Sequence, residues 1–287
     1  MTGSTIVRNR TDPAGKARPD PEIKVRNRRF GRGEVRRRWW LGDDPFASAF
    51  FNSLSISFPH GEAYFIESVR ACRDSACPQL AESIRSFCAQ EVNHSREHVA
   101  FNRGMVEAGY EIAHLEAAVI AILDMARQRP AIANLAATMA LEHFTAIIAH
   151  VLLIDDDLLA RADPQTAAIW RWHAAEEIEH KAVAYDTWLA ATADWPRRKR
   201  WTVKTLMMML VARNFLRLRY MGAIDLLRQD GITGWRAHLG LLRYALLSPG
   251  IVTRIVPHWL AYFLPGFHPW NRDDRALIAN TAEAAES

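Results

Sequence analysis

Apolar residues recur with a helical period along almost the whole chain after residue 44, and no stretch shows the period of two that a half-buried strand requires. The pattern predicts nine helices, at 45–57, 60–73, 76–108, 114–128, 131–160, 164–192, 196–228, 231–247 and 249–263. Asp44-Pro45 and Asp163-Pro164 are typical helix starts, because Asp caps free amides and Pro is tolerated in the first turn. We therefore expect an all-α protein.

Four of the nine segments are long or strongly patterned, which predicts the core of a helical bundle. They are 60–73, 76–108, 131–160 and 164–192. The expected domain limits are a basic, partly disordered segment at 1–42, the bundle at 43–195, a C-terminal helical extension packed on it at 196–275, and a disordered tail at 276–287. The longest apolar run, at 205–212, is too short to span a bilayer.

Charge and cysteine content further narrow the kinds of protein that this sequence can encode. The chain has 287 residues and three cysteines at irregular spacing, which predicts neither a disulfide framework nor a zinc site. Residues 1–45 carry twelve Lys/Arg and six Asp/Glu, although the whole chain is only +4. This basic segment has no apolar signal core, so we expect a cytoplasmic protein. It would lie as a strap over an acidic domain, or contact an anionic surface through Trp39 and Trp40; no nucleic-acid-binding module is visible.

Acidic residues and histidines recur on the four core segments in a regular order. A single Glu alternates with a Glu-x-x-His pair, so that the set is Glu62, Glu91 with His94, Glu142, and Glu177 with His180. Residues three apart share one helix face, so each pair can direct a carboxylate and an imidazole at one point. Two divalent ions need several carboxylates to offset their charge, and this is the ligand set of di-metal carboxylate bundles. The pattern therefore predicts a ferritin-like four-helix bundle with additional C-terminal helices and two divalent ions, iron before manganese or zinc.

Other polar residues lie beside this set. Glu142 sits on a mostly apolar helix, where an unpaired carboxylate is costly unless it binds a metal. His98 follows His94 by four residues and is a candidate catalytic residue, as a proton relay or a residue that orients a ligand. Glu176 is a second candidate, and it could replace Glu177 as ligand at i, i+4 to His180. We expect salt-bridge or capping roles for three more residues: His60, Glu97 and His143.

Several long motifs carry a resemblance to a known family. The stretches are "SFPHGEAYFIESVR", "QEVNHSREH", "LEHFTA", "WHAAEEIEHKAVAYD" and "LPGFHPW". From about residue 23 to 275 the chain resembles the bacterial family of predicted metal-dependent hydrolases, which is similar in turn to the ferritin-like superfamily. His173 precedes Glu177 by four residues, and a third histidine there resembles the seven-ligand site of the p-aminobenzoate N-oxygenase group. That resemblance implies that His173 is an extra ligand; the alternative is a histidine that orients a ligand carboxylate.

Three functions stay open on these residues. The preferred one is a di-iron enzyme that activates dioxygen to oxidise an apolar or amphipathic, acyl-like small molecule, with an electron donor as partner. The alternatives are a hydrolase of esters or phosphoesters that uses a metal-bound hydroxide, and a non-catalytic metal-binding bundle. The Met/Leu-rich stretch at 205–212 is core, or else a substrate tunnel or membrane contact. A homodimer and a peripheral membrane contact near Trp259, Tyr262 and Phe263 are further expectations.

Overall fold

Every regular element in the computed structural model is a helix, and the structure describes residues 21–30 and 37–283. The α-helices are α1 Pro45–Ser55, α2 Phe58–Arg70, α3 Pro78–Glu107, α4 Ala113–Arg127, α5 Ala131–Ile154, α6 Pro164–His180, α7 Val183–Ala191, α8 Arg197–Gln229, α9 Gly234–Leu246, α10 Ile251–Ala261 and α11 Arg275–Glu283. Short 3₁₀ helices lie at Arg73–Ser75, Asp156–Leu158 and Pro269–Asn271. Within the described ranges, extended pairing is limited to one isolated bridge between Leu41 and Ala162. The prediction of an all-α protein is confirmed.

Two Asp-Pro steps start helices as predicted. The Asp44 carboxylate accepts hydrogen bonds from the amides of Phe46 and Ala47, at 2.8 and 3.2 Å. The Asp163 carboxylate accepts one from the amide of Thr166 at 2.8 Å. Each carboxylate satisfies backbone amides that the first helical turn leaves without a partner, so these caps fix where α1 and α6 begin.

Four helices form the centre of the molecule. Helix α2 packs on α3 and α5, and α6 packs on the same two helices, so that α2, α3, α6 and α5 form a closed ring. The inward positions of the ring are apolar above and below a band of buried acids and histidines. The band brings several buried carboxylates into this core, and it contains the candidate site.

The C-terminal helices form a layer beside the ring. Helix α8 packs on α1 and α5, α9 packs on α1, and α10 packs on α5. The approach of α9 to α1 is close, because a Cβ at Gly240 would lie 2.2 Å from the ring of Phe46. This layer leaves the ring of four helices intact and covers it from one side.

Three predicted boundaries differ from the observed ones. The segment 164–192 is two helices, since α6 ends at His180 and α7 begins at Val183. At that break the Lys181 amine is buried and donates to Asp274 at 2.6 Å, a contact with a distant residue that local sequence does not show. Helix α5 ends at Ile154, not at 160. The predicted tail begins at 276, yet α11 spans Arg275–Glu283 and packs on α6 and α5.

The basic N-terminal segment falls partly outside the described residues, which exclude 1–20 and 31–36. Residues 21–30 run without helix along the bundle, and Ile23 and Phe30 pack against its core. We call residues 21–30 the strap.

Helix α5 is long and apolar enough to cross a bilayer, but 61% of its most apolar window is buried inside the protein, as in a core helix.

Candidate metal centre

The seven predicted ligands all lie in the buried band of the ring. Glu62 is on α2, the Glu91–His94 pair is on α3, Glu142 is on α5, and α6 carries the remaining three. Each of the seven side chains belongs to a residue that is at most 3% exposed. Helical spacing of three and four residues places the α6 ligands, His173, Glu177 and His180, on one face.

Six of these residues form two groups whose donor atoms converge. In each group one ligand atom per residue lies within 4.8 Å of the others. The first group is Glu62, His94 and His173, and the second is Glu91, Glu177 and His180. Glu142 adjoins the second group, because its Oε2 lies 3.5 Å from His180 Nε2. The structure therefore brings all seven residues together as two adjacent clusters.

Two carboxylates reach both groups. Glu177 Oε1 lies 2.8 Å from His173 Nε2, and its Oε2 lies 3.5 Å from His180 Nε2. Glu91 Oε1 lies 3.2 Å from His180 Nε2, and its Oε2 lies 3.5 Å from His94 Nδ1. Each of these carboxylates thus turns one oxygen toward each group, which is the arrangement of a ligand shared between two ions.

Buried nitrogen and oxygen atoms without a hydrogen-bond partner show that the cluster fits metal ions. Buried polar atoms in proteins are nearly always hydrogen-bonded, since an unpaired one costs about 1–3 kcal/mol. Here eight buried atoms without a hydrogen-bond partner belong to predicted ligands: Glu62 Oε1, both oxygens of Glu91 and of Glu142, His94 Nδ1, Glu177 Oε2 and His180 Nε2. Carboxylate oxygen and imidazole nitrogen are the ligands that Fe, Mn and Zn accept in proteins.

Each ligand histidine is held by its other ring nitrogen. His94 Nε2 lies 3.1 Å from Glu176 Oε2, and His180 Nδ1 lies 2.9 Å from Gln90 Oε1. His173 Nδ1 lies 2.7 Å from His98 Nε2. Such contacts fix the tautomer and the ring orientation of histidines that bind metals.

The contact to His98 continues away from the site. His98 Nδ1 lies 2.8 Å from Ser55 Oγ, and the Ser55 hydroxyl donates to Asn102 Oδ1 at 2.6 Å. One assignment satisfies every step: His173 Nδ1–H donates to His98, and His98 Nδ1–H donates to Ser55. This leaves the lone pair of His173 Nε2 directed at the two groups, so His98 orients a ligand.

The strap contacts the residues that orient the other two histidines, Glu176 beside His94 and, through Glu179, Gln90 beside His180. Arg26 Nη1 and Nη2 contact Glu176 Oε1 at 3.3 Å and Glu179 Oε1 at 2.7 Å. The Trp172 indole also donates to Glu176, at 3.0 Å. Glu179 in turn accepts a hydrogen bond from Gln90 Nε2 at 2.9 Å. The strap is therefore tied to the groups that orient His94 and His180.

Comparison with known proteins agrees with the ligand pattern. Residues 24–273 match the protein family described as "Predicted metal-dependent hydrolase". The chain belongs to this family. Neither a curated protein nor a solved structure matches it.

For this member of the predicted metal-dependent hydrolase family, the description favours the hydrolase alternative over the dioxygen-activating function that the sequence analysis preferred. The family match and the two buried carboxylate–histidine groups together indicate a metal-dependent protein. They do not identify the metal, so the expectation of iron remains a prediction.

In the site of this family member, the electrostatic surroundings shift the pKa values of the carboxyl groups in different directions. Burial, and then the charges of neighbouring carboxylates, raises the pKa of Glu62, Glu91 and Glu142 well above the ordinary value. Burial opposes ionisation of Glu177 too, but the charge of His180 and the close approach of the His173 and His180 rings hold the pKa of Glu177 well below the ordinary value. Burial lowers the pKa of His173 to about 4, which keeps its ring neutral, as a metal ligand requires.

Two residues predicted to lie outside the ligand set, Glu97 and His143, contact other parts of the chain. Glu97 pairs with Arg96 at 2.7 Å and accepts the Phe30 amide at 3.1 Å. His143 is buried beyond the cluster, where its Nε2 lies 3.2 Å from the carbonyl of His258. Sequence reasoning missed Gln90 and Arg26, whose partners lie on other elements. Gln90 stands next to a ligand, at i, i+4 to His94, which was the one available sign.

Proposed function

We propose that this protein is a hydrolase with a two-metal centre, acting on an ester or phosphoester. The observation that carries the proposal is the set of eight unsatisfied donor atoms in two adjacent buried groups. Family membership supports hydrolysis as the reaction class. Divalent ions bound there would polarise the scissile carbonyl or phosphoryl oxygen and lower the pKa of water.

Some of the chain's own residues would bind the ions, and others would orient those ligands. Glu62, His94 and His173 would hold one ion, and Glu142, Glu177 and His180, with Glu91, the other. Glu91 and Glu177 turn one oxygen toward each group, which supports a shared role.

The candidate catalytic residues His98 and Glu176 each contact a ligand histidine. Their contacts support positioning roles: Glu176 accepts a hydrogen bond from His94 Nε2–H, and His98 Nε2 accepts one from His173 Nδ1–H. In both contacts the candidate residue touches a histidine of the proposed ligand set.

The test combines metal content with hydrolysis. Protein loaded with zinc, manganese or iron should hold two ions per chain and cleave members of an ester and phosphoester panel. The double variant Glu91→Ala/Glu177→Ala should lose both metal and activity but keep its helical circular-dichroism spectrum. The matched control is Glu82→Ala/Glu107→Ala, because both residues are exposed on α3. Two ions per chain retained in the double variant would refute the ligand assignment.

Dioxygen activation is a second candidate because of one observation. Among the described residues, the ion pairs of the seven predicted ligands all involve histidines, and none involves a Lys or Arg of the kind that holds an anionic substrate or developing oxyanion. Aromatic rings flank the site, with Phe58 4.9 Å from the His173 ring and Phe87 4.9 Å from the His180 ring. These features suit an apolar substrate, and the ligand set itself resembles that of ferritin-like di-iron proteins.

A second measurement separates the two candidates. Iron-loaded protein, purified without oxygen, is exposed to air while its visible absorption and oxygen uptake are recorded. Oxygen uptake stoichiometric with the iron, with no hydrolysis of the panel by any metal form, would support the second candidate. Hydrolysis by the zinc or manganese form without oxygen uptake by the iron form would support the first.

A further inference from the structure

Exposed apolar side chains cover the outer side of the layer formed by α8, α9 and α10. The inner side of this layer packs on α1 and α5, so the outer side points away from the core. Large apolar residues there are well exposed: Leu206, Met209 and Leu216 on α8, Trp235 and Leu239 on α9, and Leu260 on α10. Trp235 is 72% exposed. We call this surface the outer face.

The spacing of these residues makes each helix contribute one stripe. On α8, Leu206, Met209, Arg213, Leu216 and Tyr220 are all exposed and follow one another by three or four residues. Residues at this spacing share one side of a helix. Apolar and cationic groups therefore alternate along a single exposed stripe about the length of four turns.

Two contacts join the helices of the outer face. Tyr220 Oη lies 2.6 Å from His238 Nδ1, which connects α8 to α9. The Trp201 indole donates to the carbonyl of Phe263 at 2.9 Å, which connects the start of α8 to the chain just after α10. Helices α9 and α10 meet each other at a bend of 53°. The three stripes are thus parts of one surface.

The same helices carry a strong net positive charge. Residues 197–261 contain twelve Lys/Arg and two Asp, which is a net charge of +10, whereas the whole chain is +4. Four arginines of the outer face are exposed: Arg213, Arg217, Arg236 and Arg243. Within the described part of the chain, none of these four forms an ion pair with a carboxylate. Their charge is available to an external anion.

A second copy of the chain is a poor occupant for this face. The commonest homodimers are two-fold symmetric, so the same patch meets itself across the interface. Two faces of high positive charge would then be brought together, at a cost in repulsion. A partner must therefore be anionic. It must also accept leucine and methionine side chains, which favours a lipid surface over a polynucleotide, whose charged backbone offers them no apolar contact.

We propose that the outer face docks on the surface of an anionic phospholipid bilayer. Its arginines would contact lipid phosphates, and Trp235 with the apolar stripe would enter the interfacial region. This inference rests on the composition and exposure of α8–α10 alone and is independent of the reaction at the metal centre.

Vesicle sedimentation tests the proposal with the full chain. Phosphatidylcholine vesicles with one third phosphatidylglycerol should carry the protein into the pellet at low salt, and pure phosphatidylcholine vesicles should carry much less. Each exposed Arg near a surface contributes about 1 kcal/mol. Arg213→Gln/Arg217→Gln should therefore bind the anionic vesicles about thirty-fold more weakly. Leu206→Ser/Met209→Ser should weaken binding to both kinds of vesicle.

The matched control is Arg85→Gln/Arg103→Gln, because these arginines are exposed on α3, away from the outer face. This control should bind like the wild type. All altered residues are exposed, and circular dichroism checks that each variant is folded. Absence of sedimentation, or equal binding by the two arginine variants, would overturn the proposal. A dimer in light scattering that dissociates in Leu206→Ser/Met209→Ser, without vesicle binding, would assign the face to a second copy instead.

Discussion

Replacing Glu142 by Leu should affect the metal-free and metal-loaded protein in opposite directions. Glu142 is buried on α5, and both of its carboxylate oxygens are without a hydrogen-bond partner. An orphaned buried polar group costs about 1–3 kcal/mol, and Leu has a similar volume without that cost. The metal-free variant should therefore be more stable than the metal-free wild type by about that amount. In a chain of this size, this corresponds to a melting temperature higher by about 2–5 °C.

The same change should reduce stabilisation by metal. An ion present at a thousand times its Kd stabilises the folded state by about 4 kcal/mol. Each tenfold loss of affinity removes about 1.4 kcal/mol of that gain. Because Glu142 lies 3.5 Å from His180 in the second group, we expect Glu142→Leu to show a smaller rise in melting temperature on metal addition.

Differential scanning calorimetry of chelator-treated and metal-loaded samples measures both effects. Glu82→Leu is the control, since Glu82 is exposed on α3 and its replacement should change neither state by more than about 0.5 kcal/mol. A Glu142→Leu protein that is less stable without metal, and gains as much from metal as the wild type, would refute the reasoning. Glu142 would then be a structural carboxylate.

Two further variants test the surroundings of the centre. Arg26→Gln should weaken metal affinity about tenfold, measured by competition with a chromophoric chelator, because Arg26 holds Glu176 against His94; affinity equal to that of an Arg28→Gln control would contradict this role. Asp274→Ala should cost about 3–5 kcal/mol in urea unfolding, since it leaves the buried Lys181 amine without its carboxylate; a loss below about 1 kcal/mol would show that the Lys181 amine finds water.

The helical character of the chain follows from local rules. Periodicity and Asp-Pro caps predict an all-α protein and the starts of α1 and α6, because both depend on residues within one turn. At the break between α6 and α7 the Lys181 amine contacts Asp274, 93 residues away, and a contact over that separation leaves no local pattern in the sequence. The division into domains stays a prediction.

The convergence of the predicted ligands follows from their spacing, whereas the residues that support them could not be predicted. Glu-x-x-His pairs and the charge of Glu142 on an apolar helix identify residues that the fold brings together in two groups. The residues that hold the ligand histidines come from other elements: Gln90 reaches His180 across 90 positions, and Arg26 reaches Glu176 across 150. Such pairings depend on the packing of helices, which spacing along one helix cannot specify.

The strap has a consequence for the kinetics of metal exchange. Its residues 24–30 lie across α6 and α3, bonded through Arg26 to Glu176 and Glu179 and through the Phe30 amide to Glu97. Phe30 also packs against Trp172, with ring centroids 5.4 Å apart. An ion held in the proposed centre would leave on this side only after these contacts open. We expect the half-life of bound metal to follow the opening rate of residues 24–30, so that the protein retains its ions much longer than the affinity of its ligands alone would require.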